Sequence, residues 1–420
     1  MTAAYRLAQR GLRVTLLEQS STIGGNLVHA QGMAPFILGC HHATWSLLRA
    51  LDSLPDQQLL HEPALELCLP HGRLVPYPRS RLPTPLHIAS TIGRFAGLSW
   101  SERWKLLSWL EALWEGSQQL GADLEQRTAA EWLASLGQHD SLQRSIWNPI
   151  SRWLTGNELQ KLSADALVAS LRPYFLQRAS DTRIVMLEQS WQTLFVQPIV
   201  DFLNRQGSIV RLVSPVLQFQ YEQERVTGVR TADGSVLQAD WYLSALPHSR
   251  LLGLLPERWL SRYAYFQQIG DLATEPYTVV QIAARQALRN PRLVLLNHDS
   301  FHWVQAQPSQ DNQCLFSLVM TGSTARTPEI EQQAHALLQS SNLLPASASI
   351  MAIQSSEIPQ AFLSLPPGTK TRRPIQQSPI GNLFLAGAWT DTGWPANLES
   401  AIVSGERCTD LIAAKTATAH

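Results

Sequence analysis

With 33 Lys+Arg balanced by 33 Asp+Glu, the 420-residue chain has a formal net charge of +0, and nothing in that balance argues for a nucleic-acid partner. Charged residues make up only 16% and Trp is frequent at 14, and a chain of this length is expected to form two intertwined domains rather than one simple core. Cys40, Cys68, Cys314 and Cys408 stand far apart without metal-type spacing, which argues against a disulfide framework or zinc site and fits a reducing, cytoplasmic compartment; no apolar run approaches the roughly 18 residues of a spanning helix.

Thr2 to Gln9 reads as a helix with Ala3, Ala4, Leu7 and Ala8 on one stripe, and Gly11 suits the left-handed position just past its end. Arg13 to Leu17 is a short strand-like run closed by Glu18. Helix, glycine, strand and terminal acid form the second half of a dinucleotide-binding βαβ unit, in which the acid accepts hydrogen bonds from the adenosine ribose. The first strand and the phosphate-cradling glycine loop would lie before Met1. Glu18 alone reads more readily as a surface glutamate, and Gly24-Gly25 either lets backbone approach a ligand or makes an ordinary turn. Arg10, Arg13 and Glu18 interrupt any signal-peptide core. The adjacent pair His41-His42 shares no helix face and has no third ligand spaced nearby, so structural roles are expected.

From Gly93 to about Arg178 the pattern is mainly helical. Residues 99–114 open on a capping box, Ser99 with Glu102. Phe95, Trp100, Trp104, Trp109 and Trp114 stand there among Arg103, Lys105 and leucines, which suits either a helix lying in the membrane–water interface or a core helix with a tryptophan-rich pocket wall. Ser180 to Arg205 reads as a loop and helix. Strands are expected over 207–219 and 224–246, the latter with an Asp233-Gly234 hairpin signal, and again over 275–321. A helix follows over 328–341.

The chain closes on "IGNLFLAGAWTDTGWPANLESAIVSGERCTDLI": a buried strand Leu383 to Ala386, a Gly387 turn, a loop with Trp389, Gly393, Trp394 and Pro395, and a helix from about Ala396. Such a helix aims unpaired N–H groups and a positive dipole end at whatever lies before it, which suits the edge of a flavin that gains negative charge on reduction. This segment resembles the flavin-facing signature of the FAD-dependent amine oxidase and carotenoid desaturase superfamily. Its "TGWP" loop is most similar to the squalene-associated branch, the hydroxysqualene dehydroxylases of hopanoid biosynthesis. The likeness extends through "RTAAEWLASLGQ", "IWNPI", "DFLNRQGSIVRLVSPV" and "LSALP".

The resemblance implies a mixed α/β fold: a Rossmann-like FAD-binding domain lacking its first strand (residues 1–75, 180–250 and 370–420), interleaved with a mixed-sheet substrate domain carrying a helical insertion (76–179 and 251–369). It implies that Glu18 binds the adenosine ribose, that Val216 meets the adenine, that Gly24 and Gly25 lie toward the flavin, and that Gly387, Ala388 and Leu398 line the flavin end. Trp389 and Trp394 are candidate walls of the substrate pocket. The chain departs from the family at Ala388, where an acid is usual, and at Asn26, where an arginine is common. The implied activity is reductive dehydroxylation of hydroxysqualene to squalene. A carotenoid-type desaturase or isomerase, and a catalytically silent isoprenoid-binding homologue, are the alternatives. The implied surroundings are the inner face of the membrane, contacted through residues 95–114, and other enzymes of the squalene pathway.

Overall fold

The computed structural model describes residues 1–29, 33–54, 60–115, 123–309, 311–322 and 328–418. The first helix, Thr2–Gln9, buries Ala3, Ala4, Tyr5, Leu7 and Ala8, the expected stripe widened by one tyrosine. The strand after it is shorter than the sequence suggests, Thr15–Leu17, and pairs in parallel with Ile209–Arg211. A second parallel pair joins Tyr242–Ser244 to Leu383–Leu385.

The strand expected over 207–219 is two strands. Val213 takes a left-handed backbone (φ 49) and Pro215 has no N–H to donate, so the run breaks between them. Its second half, Val216–Glu222, turns into an antiparallel sheet with Arg225–Thr231 and Val236–Leu237. The hairpin signal was sound: the Asp233 carboxylate accepts from the Ser235 N–H at 3.0 Å and from the Thr231 hydroxyl at 2.6 Å. Residues 180–205 hold a strand that the loop-and-helix reading misses, Ile184–Leu187. It is buried throughout and lies between Phe36–Leu38 and Leu60–His61. Four apolar residues have too little periodicity to declare themselves.

The largest sheet has seven strands, in the order Ser349–Leu363, Thr274–Arg285, Gln313–Thr321, Trp303–Ser309, Arg292–Leu296, Ala64–Leu69 and Arg73–Pro76. Alternation divides its side chains between two cores. Val280, Ile282, Val304 and Leu318 pack under the helix Pro328–Ser340 through Ile330, Ala334 and Leu338. Val279, Leu293, Leu295, Trp303 and Val319 face the opposite way, into the core shared with the helical region 86–175 and with Trp389.

The helix Trp100–Glu115 has the expected capping box: the Glu102 carboxylate accepts the Ser99 N–H at 2.8 Å, and the Glu102 N–H donates to Ser99 Oγ at 3.3 Å. Its aromatic residues divide. Phe95 and Trp109 are buried, Trp109 against Trp147 at 4.3 Å between ring centroids, whereas Trp100 and Trp104 are 76% and 69% exposed. The Trp114 side chain lies outside the described residues. Among the described residues no helix is long and apolar enough to cross a membrane.

Candidate functional site

The C-terminal loop is built from its carbonyl side. Arg373 donates to the carbonyl oxygens of Trp394 (2.7 Å), Ala388 (2.9 Å) and Thr390 (2.6 Å), and more weakly to that of Trp389 (3.4 Å). Gln376 holds the carbonyl of Asp391, and Arg407 holds those of Asp391 and Thr392. Burial pulls the Arg373 guanidinium down to about 10, so it stays charged at neutral pH. A cation among partial negative charges fixes a loop that has no secondary structure of its own. Gly387 sits at φ 144, and a Cβ there would lie 2.6 Å from the Trp389 ring, so only glycine lets that indole fold back to donate to the Leu246 carbonyl at 3.1 Å.

The terminal helix, Leu398–Thr418, starts just beyond this loop. Asn397 takes the Ser400 N–H on its side chain and the Ala401 N–H on its carbonyl, which leaves the N–H groups of Leu398 and Glu399 without a protein acceptor among the described residues. Glu399 itself is 2% exposed, and its carboxylate accepts from the Ala43 N–H (2.7 Å), the Thr44 N–H (2.9 Å) and the Thr44 hydroxyl (2.7 Å), capping the helix His42–Ala50. Burial pushes its carboxyl up, against those three bonds. The clamp carries His41 to the loop, with its ring edge-on to Trp394 at 5.8 Å between centroids. Neither ring nitrogen of His41 has a partner among the described residues, and burial, with some help from His42, pulls it down to about 3. It is therefore neutral at pH 7, able to exchange hydrogen bonds but unable to supply a proton. A cleft of about 560 Å³ lies beside this loop, between Asp391, Trp394 and Pro395 on one side and Val168, Ala169 and Pro173 on the other.

A second group forms at the other chain end. Glu18 ends its strand with its N–H on the Arg211 carbonyl, its carbonyl on the Ser214 N–H and its carboxylate on the Ser20 N–H at 2.8 Å. These bonds hold the turn that leads into Val216 beside Glu18. Gly24 has φ 129, where a Cβ would collide with Val28, and Gly25 has φ 53 with open space around it. Asn26 donates to the Gln360 carbonyl at 2.7 Å. The first helix bridges the two groups. The Met1 amine at its start is buried and within reach of the Glu18 charge, while Gly405 of the terminal helix packs so closely that an added Cβ would sit 3.1 Å from Ala3 N.

The fold thus gathers Glu18 with Val216, and Gly387, Ala388, Trp389 and Trp394 with the start of the Leu398 helix. An acid after a strand, the open-faced Gly25 and two unpaired N–H groups at a helix start form a donor and acceptor set that fits a flavin dinucleotide. Sequence reasoning did not single out Arg373, Gln376 or Arg407, because polar residues that hold carbonyls 15 to 21 positions away leave no local signature.

The pattern for flavin-containing amine oxidoreductases matches residues 1–413. Among characterised proteins, the chain is 24% identical over 357 residues to 15-cis-phytoene desaturase of Synechococcus elongatus, covering 80% of this chain and 75% of that one. It is 25% identical over 329 residues to a zeta-carotene desaturase homologue of the same organism, covering 70% and 68%. Cyclohexylamine oxidase from Brevibacterium oxydans superposes with a TM-score of 0.71 at 18% identity over 99% of this chain and 96% of that one. An oxidoreductase from Methanosarcina mazei gives 0.74 at 13% identity, over 97% of each chain. By its match across almost the entire length, the chain belongs to the flavin-containing amine oxidoreductases and is an FAD-dependent oxidoreductase of the amine oxidase and carotenoid desaturase superfamily.

Proposed function

We propose that this enzyme moves a hydride between its flavin and a long isoprenoid, and that its reaction is the reductive removal of an allylic hydroxyl from hydroxysqualene to give squalene. The observation that carries the reading is the Gly393-Trp394-Pro395 loop, held by Arg373 beside an aromatic, largely apolar interior. Kinship with desaturases whose names specify phytoene and zeta-carotene supports an isoprenoid substrate.

FAD, when bound and reduced, supplies the hydride. In that reaction the allylic C–O electron pair would leave on oxygen as water, with one proton drawn from solvent, and the carbon would gain the hydride in its place. This chain's residues exclude water and orient the carbon. The faces of Trp394 and Trp389 stabilise positive charge through their π-electrons. Neutral His41 can hold a hydrogen bond beside them. Glu18 would hold the ribose, Val216 the adenine, Gly24 and Gly25 the middle of the cofactor, and Gly387, Ala388 and Leu398 the flavin end. Incubating reduced holoenzyme with hydroxysqualene tests the reading: squalene is the expected product, and its absence removes the assignment. Conversion of phytoene by oxidised enzyme would favour the second reading, desaturation with hydride flowing to the flavin. Absence of flavin absorbance after adding FAD would favour a silent isoprenoid-binding homologue.

Glu18→Ala is expected to weaken FAD binding by roughly 10- to 100-fold, since a hydrogen bond to a charged group is worth about 1.5–3 kcal/mol. Quenching of flavin fluorescence on titration measures it, and an unchanged affinity would remove Glu18 from the site.

Trp100 and Trp104, both exposed, with Arg103 over the Trp100 ring at 5.1 Å, support docking on a lipid surface at the inner face of the membrane. The double variant Trp100→Ser, Trp104→Ser should lower partition onto phosphatidylglycerol vesicles by at least about tenfold, since each indole stem buried at an interface is worth on the order of 1 kcal/mol or more. Equal co-sedimentation of both proteins would count against it.

A further inference from the structure

The face of the seven-stranded sheet turned toward the Trp389 core carries a group of polar side chains among its apolar ones. Trp303, Gln305 and Gln307 alternate along their strand and therefore share that face, about 7 Å from one to the next. Gln305 is 1% exposed, yet its carboxamide oxygen and nitrogen both lack a partner among the described residues, as do Trp303 Nε1 and Gln307 Nε2. Because both ends of the Gln305 amide are free, exchanging its oxygen and nitrogen changes nothing. The row continues sideways. Gln305 stands opposite Ser317, Ser317 opposite Gln281, and Gln281 accepts from Gln354 at 2.6 Å. On the helix Asn148–Thr155, which belongs to the same core, Trp153 Nε1 is likewise unpartnered among the described residues.

A buried carboxamide with no partner costs more than an apolar residue of the same shape, so its presence in this interior calls for a polar occupant. The surrounding wall, with Val279, Leu293, Leu295 and Val319, excludes a strongly hydrated or charged one. We propose that Gln305, supported by Trp303 and Gln307, is a specificity subsite that holds the oxygen of an oxygenated isoprenoid. The carboxamide both donates to and accepts from an alcohol, while the indole and the second amide add donors. This rests on the isoprenoid reading above and deepens it, because a subsite for oxygen separates an alcohol from a hydrocarbon of the same skeleton.

The test uses the FAD-loaded enzyme with two probes of one carbon skeleton, farnesol and farnesene, and follows binding by quenching of tryptophan emission. Wild type should bind farnesol at least tenfold tighter than farnesene. In Gln305→Met that preference should fall to within about twofold, with farnesene affinity unchanged. Gln307→Leu should lower it partly. The ligand-free Gln305→Met protein should also melt higher than wild type, by 2 °C or more, because it removes an unpaired amide and keeps the volume. Equal affinities in wild type, a preference that survives Gln305→Met, or a fall in melting temperature, would overturn the subsite and point to a structural amide satisfied by water. Failure of both probes to bind at all would instead overturn the isoprenoid reading on which it rests.

Discussion

Arg373→Met is expected to lower stability by about 3–5 kcal/mol, the range for removing a buried charged group and leaving its partners unsatisfied. For a chain of this size that is a fall in melting temperature of roughly 3–6 °C. The reason is that Arg373 reaches four carbonyls of a loop with no strand or helix ladder of its own, from Ala388 to Trp394, so no neighbouring group can take over. The same loop leads into the terminal helix that presents the unpaired N–H groups of Leu398 and Glu399, and the FAD content of the purified variant should therefore fall along with its stability. Arg373→Lys keeps the charge but offers three compact donors in place of the planar fork, and should recover only part of both. Calorimetry and the ratio of flavin to protein absorbance would settle the matter; wild-type melting and full flavin loading in Arg373→Met would refute the role given to this side chain.

The second large effect is acid sensitivity. His41 and His302 are both pulled down to about 3, chiefly by burial, with the positive charge of Arg152 adding to the effect at His302. Unfolded histidine takes up its proton near pH 6.5. Between that pH and about 3 the unfolded chain binds protons that the folded one refuses, so stability falls as pH falls through this window, by roughly 1 kcal/mol per pH unit for each histidine. From pH 6.5 to 4.5 the two together amount to roughly 4–5 kcal/mol, a large share of the 5–15 kcal/mol typical of a folded domain. Glu399 and Glu125 act in the opposite sense, since burial raises both carboxyls and their protonation favours the folded form, which softens the decline at its lower end. Urea midpoints at pH 7.5, 6 and 5 should therefore drop steadily. His41→Phe should make that drop shallower, and a flat wild-type profile would mean that neither imidazole is as dry as its surroundings suggest.

Much of the fold around the site was legible because its residues obey local rules. The helix Thr2–Gln9 declares itself through an apolar stripe, Glu18 through the strand it ends, the Asp233-Gly234 turn through its own hydrogen-bonding residue, and the Gly387 turn through a glycine between strand and helix. Burial that depends on distant partners was not legible. Trp303, Gln305 and Gln307 alternate with Val304 and Ala306, and by pattern alone the polar set reads as the wet side of a half-buried strand. Nothing within the strand reveals that both of its faces are covered.

The amino-acid order alone determined the dinucleotide half-unit at one end, the glycine–tryptophan loop at the other and the family to which both belong, because each depends on backbone requirements that only particular residues meet within a few positions. The tertiary structure alone decided that Arg373 holds that loop, that Glu399 brings His41 to Trp394, that Trp100 and Trp104 face outward while Trp109 does not, and that a carboxamide lies unpaired inside. Those outcomes depend on which surfaces meet across hundreds of residues, and a hydrogen bond or a dry face exists only once both partners have been brought together.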